Sequence, residues 1–195
     1  MSEAAAAVTA RGPWTLDDLM GLPDDGQRYE IIDGSLLVSP APGSPHQRAA
    51  HRLAATLNRD LGSEWEALEA VGILLRRRSP IRLIVPDVVV ARVDTIESEA
   101  TIFSPADVAL AVEIVSQSST TMDRVTKPNL LAEASVSAYW RVEPKARGGP
   151  VVHLYRLTGG RYREADTVKA GEVRQIDWPV SCRLVPAELT GPRRR

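Results

Sequence analysis

The chain has 195 residues, 44% apolar and 25% charged, and a net charge of −1. That is enough chain for one domain with a sizeable core, and its charge balance excludes the strong basic excess of a protein that coats nucleic acid. The single cysteine, Cys182, excludes a disulfide framework, and with only His46, His51 and His153 beside it a Cys-rich zinc site is excluded too.

No apolar run approaches the roughly 20 residues of a membrane span. The opening MSEAAAAVTARG lacks a basic region followed by a long apolar core. These features predict a cytoplasmic protein with no membrane partner. Residues 1–12 read as a disordered leader, 13–188 as one domain and 189–195 as a basic tail.

In chain order, WTLDDLMG predicts a short helix over Thr15 to Met20. RYEIIDGSLLV places two short apolar runs around Asp33-Gly34, a hairpin signal. The clearest helix is GSPHQRAAHRLAATLNRDLG, with Ser44 as its cap, Pro45 in the first turn and Gly62 at its end. Ala49, Ala50, Leu53, Ala54, Leu57 and Leu61 form its apolar stripe. Strands are expected over Val71 to Leu75, Leu83 to Ala91 and Val108 to Val115, with a less ordered polar segment before the last. SQSSTTMDRVTKPNLLAEASV turns helical; Thr120 and Asp123 have capping-box spacing, and Pro128 implies a kink or restart near Lys127. SAYWRVE reads as a strand and VVHLYRLTGGRYREA as a hairpin turned at Gly159-Gly160. The alternation of strands and helices indicates an α/β or α+β sheet flanked by two main helices.

Two expected core strands contain acids: Asp87 in LIVPDVVVA and Glu113 in ALAVEIVSQSS. A buried carboxylate without a partner is protonated or destabilising. A divalent cation between two such acids relieves both, and hard oxygen ligands suit Mg²⁺ or Mn²⁺. Taken singly, Pro86-Asp87 is better read as a strand start or turn and Glu113 as the partner of an arginine; the pair together points to a site.

The ordered set YEIIDG, SPAPGSPHQ, VPDVVVA, VEIVSQSS, DRVTK, AYWRVE and VVHLYRL resembles the PD-(D/E)XK nuclease superfamily, and within it the Uma-two family, whose label is restriction endonuclease. The resemblance runs from about Arg28 to Tyr162. It implies a restriction-endonuclease-like mixed central sheet flanked by helices, with additional hairpins. It implies a metal-dependent endonuclease acting on nucleic acid, DNA in the first instance. By motif, Asp87 and Glu113 correspond to the metal-binding acids and Lys127 to the catalytic lysine. Glu30, His46, Ser116, Gln117 and Asp123 fall at supporting positions.

The superfamily usually places lysine two residues after the second acid, where this chain has Val115. Lys127 would take over that role, although Asp123 and Lys127 at i,i+4 are equally an ordinary helical ion pair. Arg76, Arg77 and Arg78 form a basic cluster that nucleic acid could use. Nucleases of this kind often pair two sites to reach two strands, so the resemblance admits a homodimer. An inactive nuclease-fold module that binds nucleic acid or protein stays open as the alternative. A nucleotide-dependent phosphoryl enzyme finds no phosphate loop or dinucleotide glycine fingerprint here.

Overall fold

The computed structural model describes residues 12–116 and 119–191, together with the backbone of 6–8. The first half of the chain contains β1 (Ala6–Val8), α1 (Leu16–Met20), β2 (Arg28–Ile32), β3 (Ser35–Ser39), α2 (Ser44–Asp60), β4 (Trp65–Glu69), β5 (Gly72–Arg76) and β6 (Arg82–Ile84). Next come β7 (Val88–Arg92), α3 (Val93–Glu97), β8 (Ile102–Phe103) and β9 (Val108–Ile114). A π-helical turn (Met122–Thr126) leads into α4 (Lys127–Glu133). The chain then forms β10 (Ala138–Glu143), β11 (Val151–Thr158), β12 (Arg161–Lys169), β13 (Arg174–Ile176), β14 (Cys182–Leu184) and α5 (Pro186–Thr190).

The central sheet has the order β12-β11-β10-β9-β7-β4 and is mixed: β9 and β10 run parallel, the other pairs antiparallel. Strand alternation divides its side chains between two cores. Val88, Val90, Leu110, Val112, Ile114 and Trp140 face α2, whose Ala49, Leu53 and Leu57 are fully buried against them. Val89, Ala91, Ala111 and Tyr139 face the other way, onto Leu130 and Leu131 of α4 and Ile73 and Ile84 of a second sheet. That second sheet has the order β1-β3-β2-β6-β5-β8. The architecture is the mixed sheet between helices that the sequence predicts.

The hairpin at Asp33-Gly34 forms with both residues at positive φ, 49° and 78°, the geometry of a tight turn that matches strand twist. Gly34 has a second reason to lack a side chain, since a Cβ there would stand 2.9 Å from the Cβ of Pro13.

Several expectations are corrected. Leu83 to Ala91 is not one strand: β6 belongs to the second sheet and β7 to the central one. Pro86 has no N–H for a ladder, and the Val85 N–H is taken by the Glu30 carboxylate at 2.7 Å. Asp87 therefore lies in the crossing between sheets, not within a strand. Gly43, not Ser44, caps α2, and Leu61, not Gly62, closes it. Thr120 and Asp123 form no capping box: the Thr120 hydroxyl donates to the Ser116 carbonyl, and Asp123 sits in the π turn. The helix does restart at Lys127, with Pro128 in the first turn of α4. The segment before β9 is more regular than its polarity suggested, holding α3 and β8, and β4 had gone unread. Within the expected leader, Ala6–Val8 pairs with β3. Residues 1–5 and 9–11 of that leader, Gln117 and residues 192–195 lie outside the described residues.

Candidate active site

Five charged side chains are buried among the described residues: Glu30, Asp87, Glu113, Asp123 and Lys127, each 4% exposed or less. All five line one cavity of about 490 Å³. The folding of four separate segments explains the convergence. Antiparallel pairing of β7 on β9, with Val88 against Val112, brings the start of β7 to the end of β9, so Asp87 and Glu113 meet at one end of the central sheet. Glu30 reaches in from β2, where it shares a strand face with Arg28 two residues earlier. The first turn of α2 supplies His46, and the π turn and α4 supply Asp123 and Lys127.

Asp87 is held from several sides. Arg28 Nη1 donates to Oδ1 at 2.7 Å, and the Ile114 N–H donates to Oδ2 at 2.7 Å. His46 Nε2 lies 3.1 Å from the same Oδ2 and 2.9 Å from the Ile114 carbonyl oxygen. Lys127 Nζ stands between two acids, 2.9 Å from Glu30 Oε1 and 3.0 Å from Glu113 Oε1. The Glu113 contact is an ion pair outside hydrogen-bond geometry, so Glu113 Oε1 is a buried oxygen with no hydrogen-bond donor. The Ser119 hydroxyl donates to Asp123 Oδ2, and the Tyr139 hydroxyl donates to the Asp123 carbonyl.

The electrostatics follow from burial and charge count. Burial opposes ionisation of Asp87, but the His46 hydrogen bond and the charges of Arg28, His46 and Lys127 outweigh it and hold the carboxyl well below the usual range. Glu113 goes the other way: burial, reinforced by the other acids, pushes its carboxyl well up despite Lys127. Burial likewise pushes Asp123 up to about 6. For Lys127 burial favours the neutral amine, yet Glu113, Glu30, Asp123 and Asp87 together keep the ammonium protonated well above the ordinary lysine range. Burial lowers the basicity of His46 and its bond to Asp87 more than restores it. Four carboxyl groups thus face two permanent cations, Arg28 and Lys127, an excess of two negative charges when all the acids are ionised and His46 is neutral.

A family model described as "Uma2: Putative restriction endonuclease" matches residues 16–184. The chain belongs to that family. Among solved structures, one described as a putative nuclease belonging to DUF820 from Anabaena variabilis ATCC 29413 is similar at 19% identity, with a TM-score of 0.71. The match covers 91% of this chain and 98% of that one, and it shows the fold. No curated protein matches the sequence.

Within this Uma2 chain, the cavity gathers Asp87, Glu113, Lys127, Glu30, His46, Asp123 and Ser116. Val115, at the position where the superfamily motif has lysine, does not line it, whereas Lys127 does. The Asp123–Lys127 pair is not a surface i,i+4 bridge, since both residues are buried. Arg76, Arg77 and Arg78 are not brought to the site. Arg76 instead bonds Asp33 at 2.5 Å and the Pro80 carbonyl at 2.7 Å, at the opposite end of the hairpin from Arg28. Sequence reading missed Arg28 and Ser119. The signal for Arg28 was present: it lies two residues before Glu30 in a strand whose intervening Tyr29 and following Ile31 are apolar. Ser119 left no such signal.

No helix among the described residues is long and apolar enough to cross a membrane.

Proposed function

We propose that this cavity is the active site of a divalent-cation-dependent endonuclease that hydrolyses phosphodiester bonds in DNA. The observation that carries the reading is the collection of every buried charged side chain among the described residues into one cavity with an excess of acids. A fold that buries four carboxyls around one ammonium bears a large electrostatic cost, and a dication cancels the charge that Arg28 and Lys127 leave over.

The donor chemistry fits Mg²⁺ or Mn²⁺. Among the described residues no three His, Cys, Asp or Glu side chains form a ready-made ligand set, which argues against a closed structural metal cage. Mg²⁺ is commonly held by one or two carboxylates together with water and substrate phosphate. Asp87 and Glu113 would hold it here, with the Ile114 carbonyl beside them. Bound there, the cation supplies a water of lowered pKa and a Lewis acid for the scissile phosphate.

The protein's own groups supply the rest. Arg28 and the Ile114 N–H orient Asp87, and the His46 hydrogen bond with the charges of Arg28, His46 and Lys127 keeps it ionised at neutral pH. His46 fixes the Ile114 carbonyl and bridges it to Asp87. Lys127, held in its ammonium form, acts through charge on the phosphate and leaving oxygen; as a general base it would first have to lose a proton that four acids stabilise. Ser119 and Tyr139 position the turn that carries Asp123.

One observation favours a second reading, a module of the same fold that binds nucleic acid or protein without turnover. Both Asp87 oxygens already have protein partners, and Lys127 spans the two glutamates. The deciding experiment is cleavage of labelled single- and double-stranded DNA with Mg²⁺ or Mn²⁺, beside Asp87→Asn and an EDTA control. Cleavage that EDTA and the substitution each reduce at least 100-fold supports the nuclease. Binding without cleavage under any cation selects the module. Sedimentation of the DNA complex reports whether the active species is a homodimer.

A further inference from the structure

Two grooves open from the cavity, and their charges differ. One, of about 890 Å³, passes beneath α1 and shares Arg28, His46 and Asp87 with the cavity. Its further lining holds two acids, Asp24 and Glu69, and no Lys or Arg besides Arg28; His51 also lines it, 3.2 Å from Glu69. The other, of about 1100 Å³, shares Gly43, His46 and Ser116 with the cavity and runs between the turn after β9 and the adjoining ends of β10, β11 and β12. Four cations line it, Arg124, Arg141, Lys145 and Lys169, against one acid, Glu143.

That one acid is already neutralised. Arg124 donates to both Glu143 oxygens, to Oε1 at 2.9 Å and to Oε2 at 2.8 Å, and Arg141 Nε lies 3.0 Å from the same Oε1. The Arg141 guanidinium also stands 5.4 Å from the centre of the Tyr155 ring, so it is held in place. Lys145 and Lys169 are exposed, and among the described residues neither has a carboxylate within ion-pair distance. The π turn links site and groove, since it buries Asp123 in the cavity and turns its neighbour Arg124 outward to Glu143.

A polyanion entering the cavity has these two grooves to follow as it leaves. The acidic groove would repel it. The cationic one would focus it, because a concave surface of one sign concentrates field. We propose that the strand flanking the scissile phosphate lies in the cationic groove, with its phosphates on Lys145, Lys169 and the Arg124–Arg141 pair. This path rests on the nuclease reading of the cavity. It replaces the Arg76–Arg78 cluster as the backbone-binding surface.

The test is fluorescence anisotropy of a labelled DNA strand and its duplex against salt concentration, in EDTA and again with Ca²⁺ in place of Mg²⁺. Wild type is compared with Lys145→Ala/Lys169→Ala and with Arg77→Ala/Arg78→Ala. Both lysines are exposed, and a thermal melt of each variant confirms that it folds. The lysine pair should weaken binding at least tenfold at low salt. It should also flatten the slope of log K against log salt by about 1.4 to 1.8, two phosphate contacts at roughly 0.7–0.9 each. The Arg77/Arg78 pair should move neither. Wild-type binding whose slope is unaffected by the lysine pair would overturn the path and leave the nuclease reading standing. Equal losses in the two variants would overturn it as well, by spreading the contact over the surface. No wild-type binding in either buffer would remove the nuclease reading and the path with it.

Discussion

Asp87 and Asp123 are both buried aspartates in one cavity, yet their environments set opposite signs. Asp87 is surrounded by donors and its carboxyl is held low, so its ionised form stabilises the fold at neutral pH, and that contribution is lost only in strong acid. Asp123 is raised to about 6, chiefly by burial. A carboxyl whose folded value exceeds its unfolded one binds more protons in the native state, so stability falls as pH rises through the interval between the two values. For Asp123 that interval runs from the ordinary value of 3.8 to about 6. Asp123→Asn keeps an acceptor for the Ser119 hydroxyl and removes the titration. In EDTA, urea midpoints should show wild type losing on the order of 2 kcal/mol between pH 4 and pH 6.5 relative to Asp123→Asn. Parallel pH profiles for the two proteins would show that Asp123 is not raised. That Arg28 shares a strand face with Glu30 could have been read from their i, i+2 spacing in β2; its partnership with Asp87, 59 residues away, could not. Titration behaviour was not legible either, because it depends on which groups distant in sequence converge on each acid.

Elements with a strong local signal form where the sequence predicts them. The apolar stripe of α2 packs as read, and Asp33-Gly34 turns its hairpin because both residues adopt positive φ. Elements decided by tertiary partners were not readable. The run from Leu83 to Ala91 is uniformly apolar because both its halves are buried, and nothing in that uniformity shows that the halves belong to different sheets. The π turn is likewise silent in sequence. It has a consequence for the site, since one residue more than an α-helical turn lies between Asp123 and the body of α4, and π turns are frequent at functional sites. Val125 is the exposed apolar residue of that turn, with 55% of its surface open. Deleting Val125 should restore α-helical winding and swing Asp123 out of register with Lys127, which α4 holds in the core. We expect retained far-ultraviolet circular dichroism and a cleavage rate at least 100-fold lower, the scale of loss for a catalytic group misplaced by an ångström or more. Val125→Ala, which keeps the chain length, should cut at close to the wild-type rate. A fully active deletion variant would show that the winding of this turn is immaterial.

Across the whole molecule, the net charge of −1 conceals a sharp internal division. Acid is concentrated at the centre of the cavity and cation along one groove leading from it. The family resemblance was legible because short motifs keep their order along the chain; the division of charge was not, since Lys145 and Lys169 lie in separate loops and strands that only the folded sheet brings together. Burial and mutual repulsion disfavour full ionisation of the central acids in the apo fold, so a dication that binds their ionised forms should act as a folding ligand. A ligand at a hundredfold excess over its Kd stabilises by about 2.7 kcal/mol. For a domain of this size that corresponds to a rise in Tm of roughly 5–10 °C. Mg²⁺ or Mn²⁺ should produce such a rise in wild type, while NaCl at equal ionic strength should not, because diffuse screening acts weakly on buried charges. Glu113→Gln should raise the Tm of the apo protein, by removing a carboxyl that burial already disfavours, and should abolish the response to the dication. Asp87→Asn should also abolish the response, but from a lowered apo Tm, since it leaves Arg28 without its counter-charge. Opposite apo shifts with a common loss of the cation response would identify the two acids as partners in one site. A cation response that survives in both variants would place the ion elsewhere in the molecule.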